Sequence, residues 1–277
     1  MKKIKKVYKM QYRRLITLLS LVIILLIGVV VGGVFISKQL QPTVKTPIAI
    51  YEKQTSLRNE KVQSAAQITD LYFASGKKPP VEKVPIQTDR KIVALTFDDG
   101  PGYNSTQRIL DTLDKYKIKA TFFTLGQKVE ENPEMLKEIY KRGHEVGNHS
   151  YDHPDLTTLT HDDMMTQITS TNKLIETSTK KRTTYLRPPY GAYNADIELS
   201  CGMEIILWNV DSNDWRFRDG PQTTNYIMQN LAQQSVILYH DIYETSADSV
   251  EQVIPLLLDQ GYEFVTISEY LEIMGLD

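Results

Sequence analysis

The chain has 277 residues and a formal net charge of −2, with 32 Lys and Arg against 34 Asp and Glu. Seven of the basic residues lie in the first 14 positions, which contain no acid, so the remainder carries a charge of −9. This distribution excludes a protein whose whole surface binds nucleic acid. The single cysteine, Cys201, excludes an internal disulfide, and its place before Gly202 at a predicted helix end favours a buried, inert thiol.

An uncharged, apolar run covers residues 15–36, directly after the basic tail 1–14. As a helix with a rise of about 1.5 Å per residue it would span roughly 33 Å, enough to cross a hydrocarbon core. We therefore predict a single transmembrane anchor in the lipid bilayer, with the basic tail in the cytoplasm and the rest of the chain outside. The alternative is a cleaved signal peptide and a secreted protein, but no small-residue cleavage site follows the run.

The pattern changes twice after the anchor. Residues 37–90 are polar and contain five prolines, which indicates an extracytoplasmic stalk. Residues 91–277 alternate strand and helix signals, and such alternation implies an α/β domain with parallel strands. Seven such units in a row favour a barrel, which could be irregular, over an open sheet. The predicted strands are Ile92–Phe97, Ala120–Leu125, His144–Asn148, Thr184–Arg187, Met203–Val210, Val236–His240 and Phe264–Ile267.

Reactive side chains in such a fold gather at the carboxyl ends of the strands. The first strand runs into two adjacent acids, Asp98 and Asp99. Buried carboxylates require a cation or a metal ion, although this segment alone equally fits a solvated turn. Four further strand ends carry polar residues, at 149–153, 187–191, 211–215 and 238–241.

The segment 149–153 contains two histidines, His149 and His153, four residues apart. If the segment forms one helical turn, both imidazoles lie on one face; the alternative is a solvated pair. With one carboxylate they make a ligand set with open positions for water, which favours one divalent metal, Zn²⁺ first and Co²⁺, Ni²⁺, Mn²⁺ or Fe²⁺ as alternatives. The second acid would then take a proton from the bound water, whose pKa zinc lowers to roughly 7. We interpret His144 and His161 as structural or exposed.

Three other strand-end residues have side chains suited to proton transfer. Arg187 would hold a free carboxylate ionised, although an ordinary ion pair is the alternative. His240 would donate a proton to a leaving group, and Asp214 would orient it. Trp215 and Leu238 are typical core residues, or on a barrel rim the walls of an apolar pocket.

Five segments, in this order, resemble the motifs of the polysaccharide deacetylase family, also called the NodB homology domain or carbohydrate esterase family 4. They are Thr-Phe-Asp-Asp-Gly-Pro at 96–101, His-Ser-Tyr-Asp-His at 149–153, Arg-Pro-Pro-Tyr at 187–190, Asp-Ser-Asn-Asp-Trp at 211–215 and Leu-Tyr-His at 238–240. The resemblance covers about residues 91–267 and shows no departure at any motif position.

The resemblance implies a distorted (β/α)7 barrel and metal-assisted hydrolysis of an N-acetyl group on a sugar. It implies that Asp98 is the general base and that Asp99 binds the metal beside His149 and His153; the order of the two acids comes from the family alone. It also implies that Arg187 tethers the base and that Asp214 orients His240, the general acid. The backbone N–H of Tyr190 would bind the oxyanion. The substrate pocket would be shaped by Trp215, Leu238 and Pro189.

These inferences predict a membrane-anchored, extracytoplasmic deacetylase of an N-acetylated polysaccharide. Peptidoglycan N-acetylglucosamine is the leading substrate because the anchor places the domain beside the cell wall. Chitooligosaccharides, poly-N-acetylglucosamine and O-acetylated xylan are alternatives, since zinc–water chemistry cleaves esters as well as amides. A wall-binding module without catalysis is the alternative of another class. We expect neither a nucleic-acid partner nor an obligate protein partner.

Overall fold

The computed structural model describes residues 85–276, which form an α/β domain with parallel strands. The strands are β1 (Ile92–Asp98), β2 (Thr121–Thr124), β3 (Glu145–Asn148), β4 (Tyr185–Leu186), β5 (Glu204–Ile205), β6 (Val210–Asp211), β7 (Gln234–His240) and β8 (Glu263–Phe264). The helices are α1 (Asn104–Tyr116), α2 (Gly126–Glu131), α3 (Pro133–Lys141), α4 (His161–Thr179), α5 (Ala195–Ser200), α6 (Asp214–Phe217), α7 (Gly220–Asn230), α8 (Glu244–Asp259) and α9 (Ile267–Met274).

The eight strands form one sheet in the order β5-β4-β3-β2-β1-β7-β6, and β8 pairs with the start of β1. Every pairing is parallel, so the predicted α/β architecture is confirmed. In the described residues β5 and β6 form the two ends of the pairing path and do not pair with each other. The sheet is therefore a curled half-barrel, which fits the predicted distorted (β/α)7 barrel.

The longest pairing in the sheet joins β1 to β7. It runs from Ile92 opposite Gln234 to Asp98 opposite His240. Since parallel strands end at the same edge, this register brings the last residue of each strand to the same level. The carboxyl end of the sheet thus places a carboxylate beside an imidazole.

The two faces of β1 differ in polarity, because side chains alternate along a strand. The odd-numbered residues of 93–97 pack against α1 and α8 in the larger apolar cluster. On the other face Ile92 and Ala94 pack with α9, and Thr96 and Asp98 follow them along the strand. That face therefore changes from apolar to polar as β1 approaches its carboxyl end.

The predicted strand Met203–Val210 is wrong as one element, because it forms two short strands, β5 and β6. Between them the main-chain carbonyls of Ile206 and Leu207 accept hydrogen bonds from Nε and Nη2 of Arg187, at 3.2 and 3.3 Å. A buried guanidinium needs such acceptors, and carbonyls directed at it do not extend a sheet ladder. Of the other predicted strands, β1 and β7 are longer than expected and β2, β3, β4 and β8 are shorter.

The described residues 85–276 include no helix that combines the length and apolar character needed to cross a bilayer. The predicted tail 1–14, the anchor 15–36 and the stalk as far as residue 84 lie outside the described residues. The last part of that stalk contacts the domain: the N–H of Ile86 donates to the carbonyl of Met274 at 2.8 Å.

A glycine in β3 sets how closely that strand approaches the centre of the sheet. A Cβ at Gly147 would clash with the ring of Phe123, which is fully buried. We expect Gly147→Ala to lower the free energy of unfolding by about 1–3 kcal/mol, the usual cost of overpacking, measured by urea denaturation. In a Phe123→Leu background the same substitution should cost less; an equal cost in both backgrounds would contradict the predicted clash.

Candidate active site

The two adjacent acids at the end of β1 occupy different environments. Asp98 is the last residue of the strand and is 2% exposed. Asp99 leaves the strand with a left-handed φ of 71°. The chain continues through Gly100, where a Cβ would clash with the carboxylate of the buried Asp241. Position 100 therefore requires a glycine.

Asp98 forms a buried ion pair with Arg187, whose side chain is inaccessible to solvent. Nη1 of Arg187 donates to Asp98 Oδ1 at 2.8 Å and to Thr96 Oγ1 at 2.7 Å. The guanidinium carbon lies 4.1 Å from the ring centroid of Phe123 and 5.7 Å from that of Trp208. Cation–π contacts with two rings and the hydrogen bonds fix the position of the cation, and through it that of Asp98.

Burial raises the pKa of the Asp98 carboxyl above its ordinary value, and the charge and hydrogen bond of Arg187 oppose that rise. Burial likewise lowers the pKa of Arg187, against the opposing effect of Asp98. A buried carboxylate that is bonded to a cation and still has a raised pKa has the properties of a general base.

Three potential ligand atoms converge beside this pair. Oδ1 of Asp99 lies 3.5 Å from Nε2 of His149 and 3.5 Å from Nε2 of His153, and the three atoms all lie within 4.8 Å of one another. The Asp99 oxygen is buried and has no hydrogen-bond partner among the described residues. Buried polar atoms are rarely left without a partner, so this orphan oxygen fits a metal ligand.

The protonation of His149 also fits metal binding. Its Nδ1 lies 2.6 Å from the carbonyl oxygen of Arg187, which can only accept, so Nδ1 carries the hydrogen and Nε2 keeps its lone pair. Burial lowers the pKa of His149 to about 3, which keeps the ring neutral. An Asp and two neutral His nitrogens are a donor set that zinc accepts with positions left open.

The helical turn expected at 149–153 is wrong, because these residues form a loop after β3. Ser150 and His153 have left-handed φ angles of 70° and 67°. Side chains replace the helical hydrogen bonds: Asn148 Oδ1 accepts from the N–H of Ser150 at 2.7 Å, and Ser150 Oγ accepts from the N–H of His153 at 3.1 Å. The loop brings the two imidazoles into ring contact, with centroids 5.0 Å apart.

Sequence reasoning missed Gln167 of α4, which holds the same loop. Its Oε1 accepts from the N–H groups of Tyr151 and Asp152 at 2.8 and 3.2 Å, and its Nε2 donates to Asp152 Oδ1 at 2.7 Å. From the other side, the first N–H groups of α2 donate to the carbonyls of Ser150 and Tyr151. No signal in the sequence separates Gln167 from an ordinary polar residue on a helix.

His240 and Asp214 form the second charged pair of the site. His240 Nδ1 lies 2.8 Å from Asp214 Oδ1, and the other carboxylate oxygen accepts from the His240 N–H at 2.7 Å and from Ser246 Oγ at 2.6 Å. Burial alone would lower the pKa of His240, but the hydrogen bond and charge of Asp214 raise it to about 9. Ser246 is a second residue that sequence reasoning missed, as nothing in its helix pattern marks it.

The remaining predicted residues lie at the same edge of the sheet. Tyr190 has a left-handed φ of 60°, its ring meets that of His153 edge-on at 4.7 Å, and its N–H has no partner among the residues described. Trp215, on α6, is 48% exposed, whereas Leu238 and Pro189 are buried. Of the predicted pocket residues, the indole of Trp215 is therefore the one open to a solvent-borne ligand.

The two histidines interpreted as structural or exposed, His144 and His161, lie away from this cluster. His144 is buried at the start of β3, where its Nδ1 accepts from the N–H of Ala120 at 3.2 Å. His161 is exposed at the start of α4 and lies 2.9 Å from the Asp196 carboxylate. Neither ring contributes to the convergent ligand atoms.

Comparison with known proteins matches residues 86–205 to the family model described as polysaccharide deacetylase. The chain is 39% identical over 226 residues to the peptidoglycan-N-acetylglucosamine deacetylase PgdA of Listeria monocytogenes, covering 82% of this chain and 48% of that protein. It is 44% identical over 188 residues to the peptidoglycan-N-acetylmuramic acid deacetylase PdaC of Bacillus subtilis, covering 68% and 40%. The chain thus spans about half the length, or less, of these curated relatives.

A solved structure gives the same relationship in three dimensions. The structure of peptidoglycan deacetylase PdaC from Bacillus subtilis matches with a TM-score of 0.65 and 44% identity. The match covers 68% of this chain and 93% of the chain in that structure.

If Gln167 orders the 149–153 loop, its removal should weaken metal binding. We expect Gln167→Ala to raise the dissociation constant for Zn²⁺ by about 10–100-fold, the usual effect of losing a group that orients metal ligands. The measurement is a competition titration of the metal-free protein with a chromophoric chelator. Thr169→Ala, an exposed change on the same helix, is the control, and an unchanged affinity in Gln167→Ala would refute the prediction.

Proposed function

Because this chain belongs to the polysaccharide deacetylase family, we propose that it hydrolyses the N-acetyl groups of a cell-wall polysaccharide and releases acetate. Peptidoglycan N-acetylglucosamine is the leading substrate, since relatives at 39% and 44% identity are deacetylases of peptidoglycan sugars. The observation that carries the proposal is the position of the buried carboxylate of Asp98. It borders the convergent ligand atoms of Asp99, His149 and His153, and His240 lies opposite it in β7.

Asp99, His149 and His153 would hold one divalent metal ion, zinc first, which when bound polarises the amide carbonyl and acidifies water. Asp98 has one oxygen bonded to Arg187, and its other oxygen, Oδ2, lies 3.6 Å from Nε2 of His149. The free oxygen of the base therefore borders the ligand set, where it takes a proton from the attacking water.

His240 supplies the opposite proton transfer. A pKa of about 9 keeps its ring protonated at neutral pH. Because Nδ1 is bonded to Asp214, Nε2 is the nitrogen that gives its proton to the leaving amine. The unpartnered N–H of Tyr190 is a preorganised donor for the oxyanion that forms when water adds to the carbonyl carbon.

The water oxygen forms a bond to the carbonyl carbon while Asp98 receives one proton of the water. The C–N bond then breaks as the carbonyl re-forms and the proton of His240 passes to the nitrogen, which leaves a free amine on the sugar and acetic acid, and the acid loses its remaining proton to solvent as acetate. Solvent then removes the proton from Asp98 and reprotonates His240. The same steps cleave an acetate ester, so the test includes O-acetylated xylan beside the N-acetylated glycans.

We also propose that residues 15–36 anchor the domain at the outer face of the cell membrane, where peptidoglycan is accessible. This proposal is supported by the uncharged apolar run and by its basic flank. Fractionation of cells that express the full chain tests it, and recovery of the chain only in the medium, shortened at its N-terminus, would favour a cleaved signal peptide instead.

We predict acetate release from peptidoglycan by the zinc-loaded protein, measured on a panel with chitooligosaccharides and acetylated xylan. Asp98→Asn should lower kcat by about 10²–10⁴-fold, because it removes the base, while zinc remains bound. Asp162→Asn, an exposed acid at the start of α4, should retain wild-type turnover. A folded, zinc-loaded protein that releases no acetate from any of these glycans would support a non-catalytic wall-binding module instead.

The pH profile should depend on Asp214. The Asp214 carboxylate favours the protonated imidazole, so its loss lowers the pKa of His240, and His240 then loses its proton at a lower pH. We expect the alkaline limb of kcat/KM, near pH 9 in the wild type, to move to lower pH by about one unit or more in Asp214→Asn. Ser246→Ala, which removes a hydrogen bond but no charge, should move it less. Identical profiles at equal zinc loading would contradict the assignment.

A further inference from the structure

A cation lies beside the catalytic imidazole and takes no part in the mechanism above. Arg218 follows α6, the helix that begins with Asp214, and has a left-handed φ of 51° where glycine is the usual residue. Its guanidinium carbon lies 3.3 Å from the ring centroid of Tyr243, and that ring lies 6.0 Å from the ring of His240. The charge is therefore no more than about 9 Å from the general acid.

The cation is held in place without being neutralised. Nε of Arg218 donates to the carbonyl of Trp215 at 2.9 Å, and one face of the guanidinium covers Tyr243. Within residues 85–276 no carboxylate oxygen comes within 4.0 Å of it, whereas Arg108 and Arg142 each pair with three acids. An exposed arginine whose orientation is already fixed loses little conformational entropy when it binds an anion.

We propose that Arg218 forms a carboxylate-binding subsite that recognises an acidic group on the part of the glycan next to the acetylated sugar. A guanidinium presents paired N–H donors that match the two oxygens of a carboxylate. Polymers of N-acetylglucosamine alone carry no carboxylate, whereas muramic acid carries a lactyl carboxylate and its peptide stems carry others. The inference rests on the proposed function, and it makes an acidic glycan the preferred substrate class over a neutral one.

The first test compares three substrates: neutral N-acetylglucosamine oligomers, peptidoglycan strands stripped of peptides, which expose lactyl carboxylates, and strands that retain their stems. For Arg218→Gln we expect the ratio of kcat/KM on acidic strands to that on neutral oligomers to fall about tenfold, chiefly through KM, as for one lost charged hydrogen bond. Added salt should raise the wild-type KM on acidic strands and change that of the variant less.

A matched control lies two residues away. Arg216 is exposed on the same short helix, and its side chain has no ion-pair or aromatic partner among the described residues. Arg216→Gln removes the same charge and should keep the wild-type ratio. A fall confined to peptide-free strands identifies the lactyl carboxylate as the ligand, and a fall confined to strands with stems identifies the peptide.

A second measurement separates the subsite from turnover. In the Asp98→Asn background, calorimetry of the acidic strands should show about tenfold weaker binding when Arg218→Gln is added. Equal binding with and without Arg218, or equal losses on neutral and acidic glycans, would overturn the subsite and leave Arg218 as a structural tether of Tyr243. Absence of acetate release by the wild type, with binding still dependent on Arg218, would overturn the proposed function but not the subsite.

Discussion

The site depends on an ion pair between Arg187, which is fully buried, and Asp98, which is almost fully buried. Removing two charges from water costs several kcal/mol, and their mutual attraction offsets this only when further hydrogen bonds satisfy the remaining donors. Arg187 obtains those bonds from Thr96 and from the carbonyls of Ile206 and Leu207. Ile206 and Leu207 lie in the break between β5 and β6, so this break in the strand supplies acceptors that the buried guanidinium beside Asp98 needs.

The pKa values of two buried carboxylates at this edge, Asp98 and Asp214, are shifted in opposite directions. Burial raises the pKa of Asp98 more than Arg187 lowers it. For Asp214, burial also raises the pKa, but hydrogen bonds from His240 and Ser246 and the charge of His240 bring it below the ordinary value. Asp98 is thus the carboxylate better able to receive a proton, and Asp214 stays ionised and keeps His240 charged. Paired groups with divergent pKa values are what acid and base roles require.

The sequence was enough to predict the parallel sheet and the edge at which its reactive residues lie. Parallel strands deliver their carboxyl ends to one edge, and all five strand-end segments, with their acids, histidines and arginine, do meet there. Two local predictions, the strand at 203–210 and the helical turn at 149–153, were wrong because contacts with distant segments decide the structure there. The apolar run 203–210 gives no sign that Arg187 needs its carbonyls, and the spacing of His149 and His153 does not distinguish a helical turn from a loop held by Gln167. Residues that act on the main chain of distant segments leave no periodic pattern to recognise.

Backbone strain in the described part of the chain is concentrated where the chemistry lies. Of its eight non-glycine residues with positive φ, Lys117 and Lys180 close helices α1 and α4 away from the site. The other six lie in the segments that follow β1, β3, β4 and β6, and one of them, Arg218, closes α6. These six are Asp99, Ser150, His153, Tyr190, Asn213 and Arg218. Glycine would adopt each conformation without strain. It would, however, remove a carboxylate, an imidazole, a guanidinium or another polar side chain from this edge of the sheet. The choice of residue at these positions is therefore explained by the groups they present and not by stability, which the surrounding hydrogen bonds must supply.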